Sequence, residues 1–188
     1  NQLSLEGFVN SVHGKGVFVI EKHQLKLLVG GLQSFKEASL TNSINYETNL
    51  HIFEEILVDE KLSKKTGFPL NSLVYYICRS RKIEGENSIL DINYFLKSVI
   101  PGLNEEISKN SIYEYIENVL SLKIAGAQKV ISVENASKLD KKYLNLINYD
   151  LVAIIKNFVY LEDGTLFEYT ESRHRPDKFT FSTYAKRL

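Results

Sequence analysis

The stretch that decides the fold is DGTLFEYTESRHRPDKF, which runs from Asp163 to Phe179. It opens with an Asp-Gly pair, typical of a tight hairpin turn because glycine accepts the positive φ that such a turn needs. Alternate side chains of the following strand point to opposite faces. Both faces carry polar groups, with Glu168, Thr170, Ser172 and His174 on one and Tyr169, Glu171, Arg173 and Arg175 on the other. We expect a strand whose two faces are both polar and reached by solvent. Such a strand is either the wall of a polar site or an edge strand exposed to solvent.

Composition narrows the class of protein. The chain has 188 residues, enough for one substantial domain with a small appendage, and 44% hydrophobic residues can build a core. Lysine plus arginine equals aspartate plus glutamate at 23 each, so the chain is a poor free-standing nucleic-acid binder. The single cysteine, Cys78, lies in an apolar run and is expected to be a buried structural thiol, which suits a cytoplasmic protein. No signal peptide or membrane span is indicated.

A small hairpin opens the chain. Residues 8–20 alternate, turn at Gly14-Lys15-Gly16 and alternate again, which predicts two short strands with a basic tip. An isolated hairpin is marginal in water, so we expect it to belong to a domain whose remainder lies upstream. The absence of methionine also suggests a fragment of a longer chain. We therefore expect a hairpin remnant at 1–20, a linker at 21–29 and the main domain at 30–188.

The main domain is predicted to be α+β. Its strands are joined by short turns, so neighbouring strands must be antiparallel, and the interspersed helices are expected to pack on that sheet. Within the helix at 111–120, Ile112, Ile116, Val119 and Leu120 form one apolar stripe. The predicted strands cover 43–58, 73–83, 88–95, 123–133, 150–160, the stretch after Gly164 and 179–184, and the predicted helices start at Ser34, Asp59, Ser111 and Ser137.

Arg79 and Arg81 are the first candidate ligand residues. Two residues apart in a strand, they point to one side and offer two guanidinium groups to a phosphate or carboxylate. The face to which Asp91 points, on the following strand, depends on the length of the turn between the two strands. A three-residue loop places Asp91 across from Arg81, whereas a two-residue loop places it on the opposite face, and the sequence leaves both registers open.

Two helix starts supply further candidates. Ser34 follows two glycines and pairs with Glu37 in a capping-box pattern, so it either caps its own helix or also helps to bind an anion. Ser111 is most simply an N-cap. Tyr113 lies off the apolar stripe and is most simply a packing residue with a wet hydroxyl. A ligand role for these residues requires that their helix ends face the arginines.

The sequence offers no convincing catalytic set. The histidines at 13, 23, 51 and 174 are scattered without metal-binding spacing. Gly-x-Ser-x-Gly, Walker and Cys-x-x-Cys motifs do not occur. Polar recognition without catalysis, metal or cofactor is therefore the favoured interpretation of His174 and its charged neighbours.

Two motifs carry a family resemblance. The run from Phe167 to Phe181 resembles the closing motif of the UTRA effector-binding domain of the HutC subfamily of GntR transcription regulators. The run from Val12 to Val19 resembles the wing of the winged helix-turn-helix that precedes this domain, with Val17 where threonine is usual. The resemblance implies a chorismate-lyase-like fold, a homodimer and operator DNA as a partner. DNA contact would be made by the wing residues His13, Gly14, Lys15 and Gly16.

The resemblance also implies a sugar-phosphate effector. Runs at 79–83, 110–113 and 160–177 are most similar to the trehalose-operon branch of the subfamily, which implies trehalose 6-phosphate. The phosphate would lie against Ser34, Arg79, Arg81 and Ser111, while Tyr113 would line the pocket. Asp91 and Glu168 would hold sugar hydroxyls. Asp91 stands where relatives often carry Glu, and His174 stands where they often carry Tyr.

Three alternatives remain at this stage. The domain could respond to another sugar phosphate. It could be an enzyme, because the implied fold is shared with a lyase, and a turnover assay would decide. It could also be a dimerisation module without a ligand, which a filled, dry pocket would favour.

Overall fold

The computed structural model describes residues 9–12, 14, 16–19, 32, 34–41 and 45–181. The N-terminal hairpin belongs to one compact unit, and Ser34–Phe179 forms another. In the hairpin, strands β1 (Val9–Val12) and β2 (Gly16–Val19) pair antiparallel, with Val12 opposite Gly16. The predicted hairpin is confirmed. His13, Lys15 and the predicted linker at 21–29 lie outside the described residues, and the predicted domain limits stay a prediction.

The second unit is built on a six-stranded antiparallel sheet, as the sequence predicts. The spatial order is β3-β4-β5-β8-β7-β6, so the strand after the Asp-Gly turn lies near the centre, between β5 and β7. The strands are β3 (Tyr46–Leu57), β4 (Leu73–Ile83), β5 (Glu86–Leu96), β6 (Ile124–Asn135), β7 (Leu151–Leu161) and β8 (Leu166–His174).

The helices are short and begin at polar caps. Asp59 accepts a hydrogen bond from Leu62 N, and Gly67 ends the same helix at φ 79°, which confirms the predicted start and stop. Ser34 and Ser137 both form capping boxes, with Glu37 and Asp140. The helices are α1 (Phe35–Thr41), α2 (Glu60–Thr66), α3 (Glu105–Lys109), α4 (Ile112–Glu114) and α5 (Lys138–Tyr143).

Three element predictions need correction. The helix at 111–120 is α-helical only through Glu114 and continues as a π turn over Tyr115–Val119, which rotates Val119 out of the stripe to 66% exposure. The helix that starts after Ser137 ends at Tyr143 rather than Ile147. The final strand is wrong for 179–181, which follow a 3₁₀ turn at Pro176–Lys178 and are irregular, and 182–184 lie outside the described residues.

The expectation that β8 is wet on both sides is also wrong. Its charged residues are buried, including Glu168 at 3% exposure and Arg173 at 5%. They tolerate burial because partners on neighbouring elements bond to them, as described below. Since β8 has a strand on each side, the edge-strand alternative is excluded.

One face of the sheet carries the apolar core. Cys78, Leu90, Ile92 and Val152 pack there together with Leu144 next to α5. Cys78 is fully buried, as predicted, and burial raises the pKa of its thiol to about 12. Within the described part of the chain, no helix is long and apolar enough to cross a membrane.

Candidate functional site

The turn between β4 and β5 decides where Asp91 points. The loop has two residues, Glu84 and Gly85, both with positive φ, and Ile83 pairs with Glu86. A register shift follows between Arg81 and Lys82, so that Arg79 lies directly opposite Asp91. The expectation that a two-residue loop moves Asp91 to the opposite face is therefore wrong, because a bulge restores the parity that the short loop would reverse.

Arg81 and Asp91 form a buried ion pair. Arg81 Nε donates to Asp91 Oδ2 at 2.9 Å, and the two residues are 6% and 5% exposed. Arg81 also donates to the Thr48 hydroxyl, and Ser172 donates to the other Asp91 oxygen at 2.7 Å. Burial alone would raise the pKa of Asp91, but Arg81, Arg79 and the Ser172 hydroxyl together lower it. Asp91 is thus held as a carboxylate beside two guanidinium groups.

Arg79 is also buried, and its hydrogen-bond acceptors are neutral groups. Its Nη1 donates to the Ser108 carbonyl and its Nη2 to Asn93 Oδ1, each at 3.1 Å. Its Nε has no hydrogen-bond partner among the described residues. Burial and the nearby charge of Arg81 lower the pKa of Arg79 to about 10. An additional acceptor at this point would satisfy the free donor.

Glu168 is the acidic centre of the same face. It accepts hydrogen bonds from Asn93 Nδ2 at 3.0 Å, from the Tyr113 hydroxyl at 2.9 Å and from the Thr170 hydroxyl. Burial raises the pKa of Glu168 despite these donors. The hydroxyl of Tyr113 is therefore bonded rather than wet, and α4 is tied to the centre of the sheet through it.

Helices α1 and α4 contact each other, and α1 also contacts Arg81. The Phe35 ring lies 4.9 Å from the Arg81 guanidinium carbon, a cation–π distance. Lys36 Nζ contacts Glu114 Oε1 at 2.6 Å. Ser34, directly before Phe35, is therefore brought towards Arg81, and Ser111 is joined to the site through the same helix as Tyr113. The hydroxyls of Ser34 and Ser111 each accept from their own helix, at 3.2 and 3.3 Å.

His174 is buried next to apolar neighbours. It is 2% exposed, lies between Ile89 and Ala153 in the sheet, and has its ring 5.3 Å from the ring of Phe179. Neither ring nitrogen has a hydrogen-bond partner among the described residues. Burial lowers its pKa to about 4, although Asp91 acts in the opposite direction. The ring is therefore neutral at pH 7 and can donate one hydrogen bond and accept another.

The unsatisfied polar atoms all belong to one face of the sheet. Among the described residues, four buried side-chain nitrogen or oxygen atoms lack a partner: Arg79 Nε, Asn157 Oδ1 and both ring nitrogens of His174. Asn157 lies opposite Thr170, so its side chain shares the face of Glu168 and His174. We call this side, which carries Arg79, Arg81 and the even-numbered residues of β8 from Glu168 to His174, the arginine face. Buried polar atoms in native proteins are nearly always bonded, so this concentration indicates a site for a polar ligand.

On the other face of β8, by contrast, the charged side chains are paired with one another. Arg173 forms a bidentate pair with Asp140, with both distances at 2.8 Å, and also binds Glu171 at 2.8 Å. Glu171 further contacts Lys65 at 2.9 Å and accepts from Tyr169 at 2.9 Å. These charges satisfy one another and bridge α5 to α2. This second network is structural, and the same strand leaves polar atoms unpaired only on its arginine face within the described residues.

The structure brings together most of the predicted site residues. Arg79, Arg81, Asp91, Tyr113, Glu168 and His174 lie on or directly above the arginine face, with Ser34 and Ser111 at the helix starts beside it. The sequence did not single out Thr48, Asn93, Thr170 and Asn157 as site residues. The parity of β8 does place Thr170 on the face of Glu168 and His174, whereas only the strand order and register place the other three there. Within the described residues, no cluster of three or more His, Cys, Asp or Glu side chains could hold a metal ion.

Comparison with known proteins assigns the chain to a family. The family model described as UTRA domain matches residues 42–180. The chain is 41% identical over 187 residues to the HTH-type transcriptional regulator TreR of Bacillus subtilis strain 168, covering all of this chain and 79% of the relative. It is 31% identical over 192 residues to the regulator GmuR of the same organism, covering 97% and 78%. The solved effector binding domain of the B. subtilis trehalose repressor superposes with a TM-score of 0.68 at 44% identity, covering 76% of this chain and 99% of that domain.

Proposed function

The chain belongs to the UTRA-domain family of GntR-type transcription regulators, and from this premise we propose that it is the effector-binding domain of a trehalose-operon repressor induced by trehalose 6-phosphate. The observation that carries the proposal is the arginine face, which holds two buried guanidinium groups and the unpaired polar atoms of the described residues. The likeness to the B. subtilis trehalose repressor supports the trehalose branch.

The phosphate is proposed to bind at Arg79 and Arg81. Charge-assisted hydrogen bonds from a guanidinium fork are short and match the geometry of a phosphate dianion. The Nε of Arg79 supplies a donor that none of the described residues uses. The hydroxyls of Ser34 and Ser111 are proposed to add donors from the two helix starts, which the Lys36–Glu114 pair holds together.

The sugar is proposed to bind along β5 and β8. Asp91 and Glu168 are carboxyl groups that can accept hydrogen bonds from hydroxyls, and His174 can accept or donate one. Tyr113 lines the site through its bond to Glu168. The neutral His174 ring suits a carbohydrate, which carries hydroxyls rather than charges away from its phosphate.

The proposed mechanism is a shift between two arrangements of a homodimer. A ligand shifts such an equilibrium only by the difference in its affinity for the two states. We propose that the sugar phosphate favours the arrangement in which the DNA-binding domains cannot match both operator half-sites. We propose that the hairpin acts as the wing in operator binding in the cytoplasm, with DNA contact by the predicted wing residues His13, Gly14, Lys15 and Gly16.

The test is release of operator DNA by the full-length regulator. Fluorescence anisotropy would follow a labelled fragment from upstream of the trehalose genes while trehalose 6-phosphate is added. We expect the ligand to weaken operator affinity about tenfold or more, the usual range for allosteric coupling. Arg81→Lys, which keeps a cation beside the buried Asp91 but not the guanidinium fork, should still bind DNA and lose most of the response. Lys82→Ala, which removes an exposed strand neighbour, should respond like wild type. Operator affinity that does not change with trehalose 6-phosphate contradicts the proposal, and a response to another sugar phosphate alone keeps only the family assignment.

A further inference from the structure

We propose that Asn157 forms a second-sugar subsite, so that the arginine face recognises a phosphorylated disaccharide in preference to a monosaccharide phosphate. This inference rests on the proposed function, because it assumes that the phosphate lies at Arg79 and Arg81. It adds a residue on a strand distant from those arginines and a reason for the length of the ligand.

A row of polar residues crosses the sheet at this level. Asn93 on β5 lies opposite Thr170 on β8, Thr170 lies opposite Asn157 on β7, and Asn157 lies opposite Lys129 on β6. At the other end, Arg79 Nη2 donates to Asn93 Oδ1 at 3.1 Å, and Asn93 Nδ2 donates to Thr170 Oγ1 at 2.8 Å. The row therefore leads from the proposed phosphate position across the centre of the sheet.

The position of Asn157 in the row gives it its place in the ligand. Arg79 reaches Asn93 on β5 with its guanidinium, and Asn157 lies two strands further along, on β7. Neighbouring strands lie about 4.8 Å apart, so the backbones of β5 and β7 are about 10 Å apart. We assign this reach beyond the phosphate and its own sugar to the second ring of a phosphorylated disaccharide.

Asn157 has the chemistry that a sugar hydroxyl requires. The hydrogen-bonding groups of Asn93 and Thr170 are used within the row and on Glu168. The Oδ1 of Asn157 is buried and has no partner among the described residues. A carboxamide can accept from one hydroxyl and donate to another, as carbohydrate recognition demands. An unsatisfied buried acceptor costs stability, so its presence is explained if a ligand bonds to it.

The experiment compares the affinities of two ligands for wild type, for Asn157→Ala and for a control variant. Calorimetric titration would measure the affinity of the chain for trehalose 6-phosphate and glucose 6-phosphate, in wild type and in Asn157→Ala. Wild type should bind the disaccharide phosphate more tightly. Asn157→Ala should lose about tenfold in affinity for trehalose 6-phosphate, the worth of about one hydrogen bond to a buried group, and should change affinity for glucose 6-phosphate less than about twofold. Asn135→Ala, at the exposed end of β6, serves as the matched control and should bind both ligands like wild type.

Thermal unfolding separates a binding role from a structural one. If Asn157 serves only the ligand, then Asn157→Leu, which removes the unsatisfied acceptor and keeps the branched arrangement of heavy atoms, should unfold without ligand at the wild-type temperature or higher. Its stabilisation by trehalose 6-phosphate should be smaller than that of wild type. A lower unfolding temperature of the free variant with unchanged ligand stabilisation overturns the inference.

The outcomes distinguish this inference from the proposed function. Equal wild-type affinity for the two sugar phosphates, or an equal loss for both in Asn157→Ala, overturns the second-sugar subsite and leaves the phosphate site standing. If wild type binds neither sugar phosphate, the proposed function fails first and the subsite fails with it. If glucose 6-phosphate binds too weakly to measure, the loss of trehalose 6-phosphate affinity in Asn157→Ala decides alone.

Discussion

Several residues on the arginine face have polar atoms without hydrogen-bond partners among the described residues, and His174 is the clearest case. Its ring is fully enclosed, yet neither nitrogen is bonded among the described residues. A position that only filled space would be served as well by an apolar side chain, without the cost of burying an imidazole. The parity of β8 predicts which way His174 points, but the sequence cannot predict its burial. Burial follows from the neighbouring strands β5 and β7, which pair with β8 from distant parts of the chain.

His174 should make stability depend on pH. Its pKa is about 4 in the folded chain and 6.5 as the ordinary value, so between these limits the unfolded chain binds more protons. Its contribution is fully present above pH 6.5 and is lost as the pH falls to 4, by up to about 3 kcal/mol. Chemical unfolding at several pH values would measure this loss in wild type and in His174→Phe.

The comparison with the variant removes the effect of other titrating groups. The difference in the free energy of unfolding between wild type and His174→Phe should shift in favour of the variant as the pH falls from 6.5 to 4. Asp91 and Glu168 also titrate at low pH, but they are present in both proteins and largely cancel. Parallel curves for the two proteins over this range would show that His174 is not held neutral by burial.

Local elements are the part of the fold that the sequence predicts best. The limits of β4 agree with the prediction, as do the cap and stop of α2, because each rests on chemistry within a few neighbouring residues. The π turn after α4 and the bulge beside Arg81 are not predicted, since both arise where local hydrogen bonding yields to packing against the sheet. The bulge matters most, because it alone places Asp91 with the arginines.

Two aspartates at helix starts, one exposed and one buried, allow a test of how much each contributes to stability. Asp59 caps α2 at the surface, so Asp59→Ala should cost about 1 kcal/mol of unfolding free energy. Asp140 caps α5 but also holds Arg173 in a bidentate pair and is fully buried. Asp140→Ala leaves the buried Arg173 charge short of a partner and should cost about 3–5 kcal/mol. Equal losses in urea unfolding would contradict the structural role given to the Arg173 network.

Strand β8, near the centre of the sheet, carries a different polar network on each of its two faces. On one face of β8 the charges satisfy one another and bridge helices, whereas on the arginine face donors and acceptors remain unpaired among the described residues. The α+β class and the antiparallel sheet follow from short turns along the sequence. The strand order does not, and Asn157 could not be placed near Thr170 without it. The site is thus a property of long-range pairing between strands.

Calorimetric titration of this chain with trehalose 6-phosphate, with free trehalose as the control ligand, would test the phosphate site at the arginines. We expect selective binding of the phosphorylated sugar. Binding should be lost in Arg81→Ala and weakened at least about tenfold in Arg81→Lys, which keeps the charge but not the guanidinium fork. Binding that survives in Arg81→Ala, or equal binding of free trehalose, would contradict a phosphate site at the arginines. No binding of any sugar phosphate would leave a dimerisation module without a ligand.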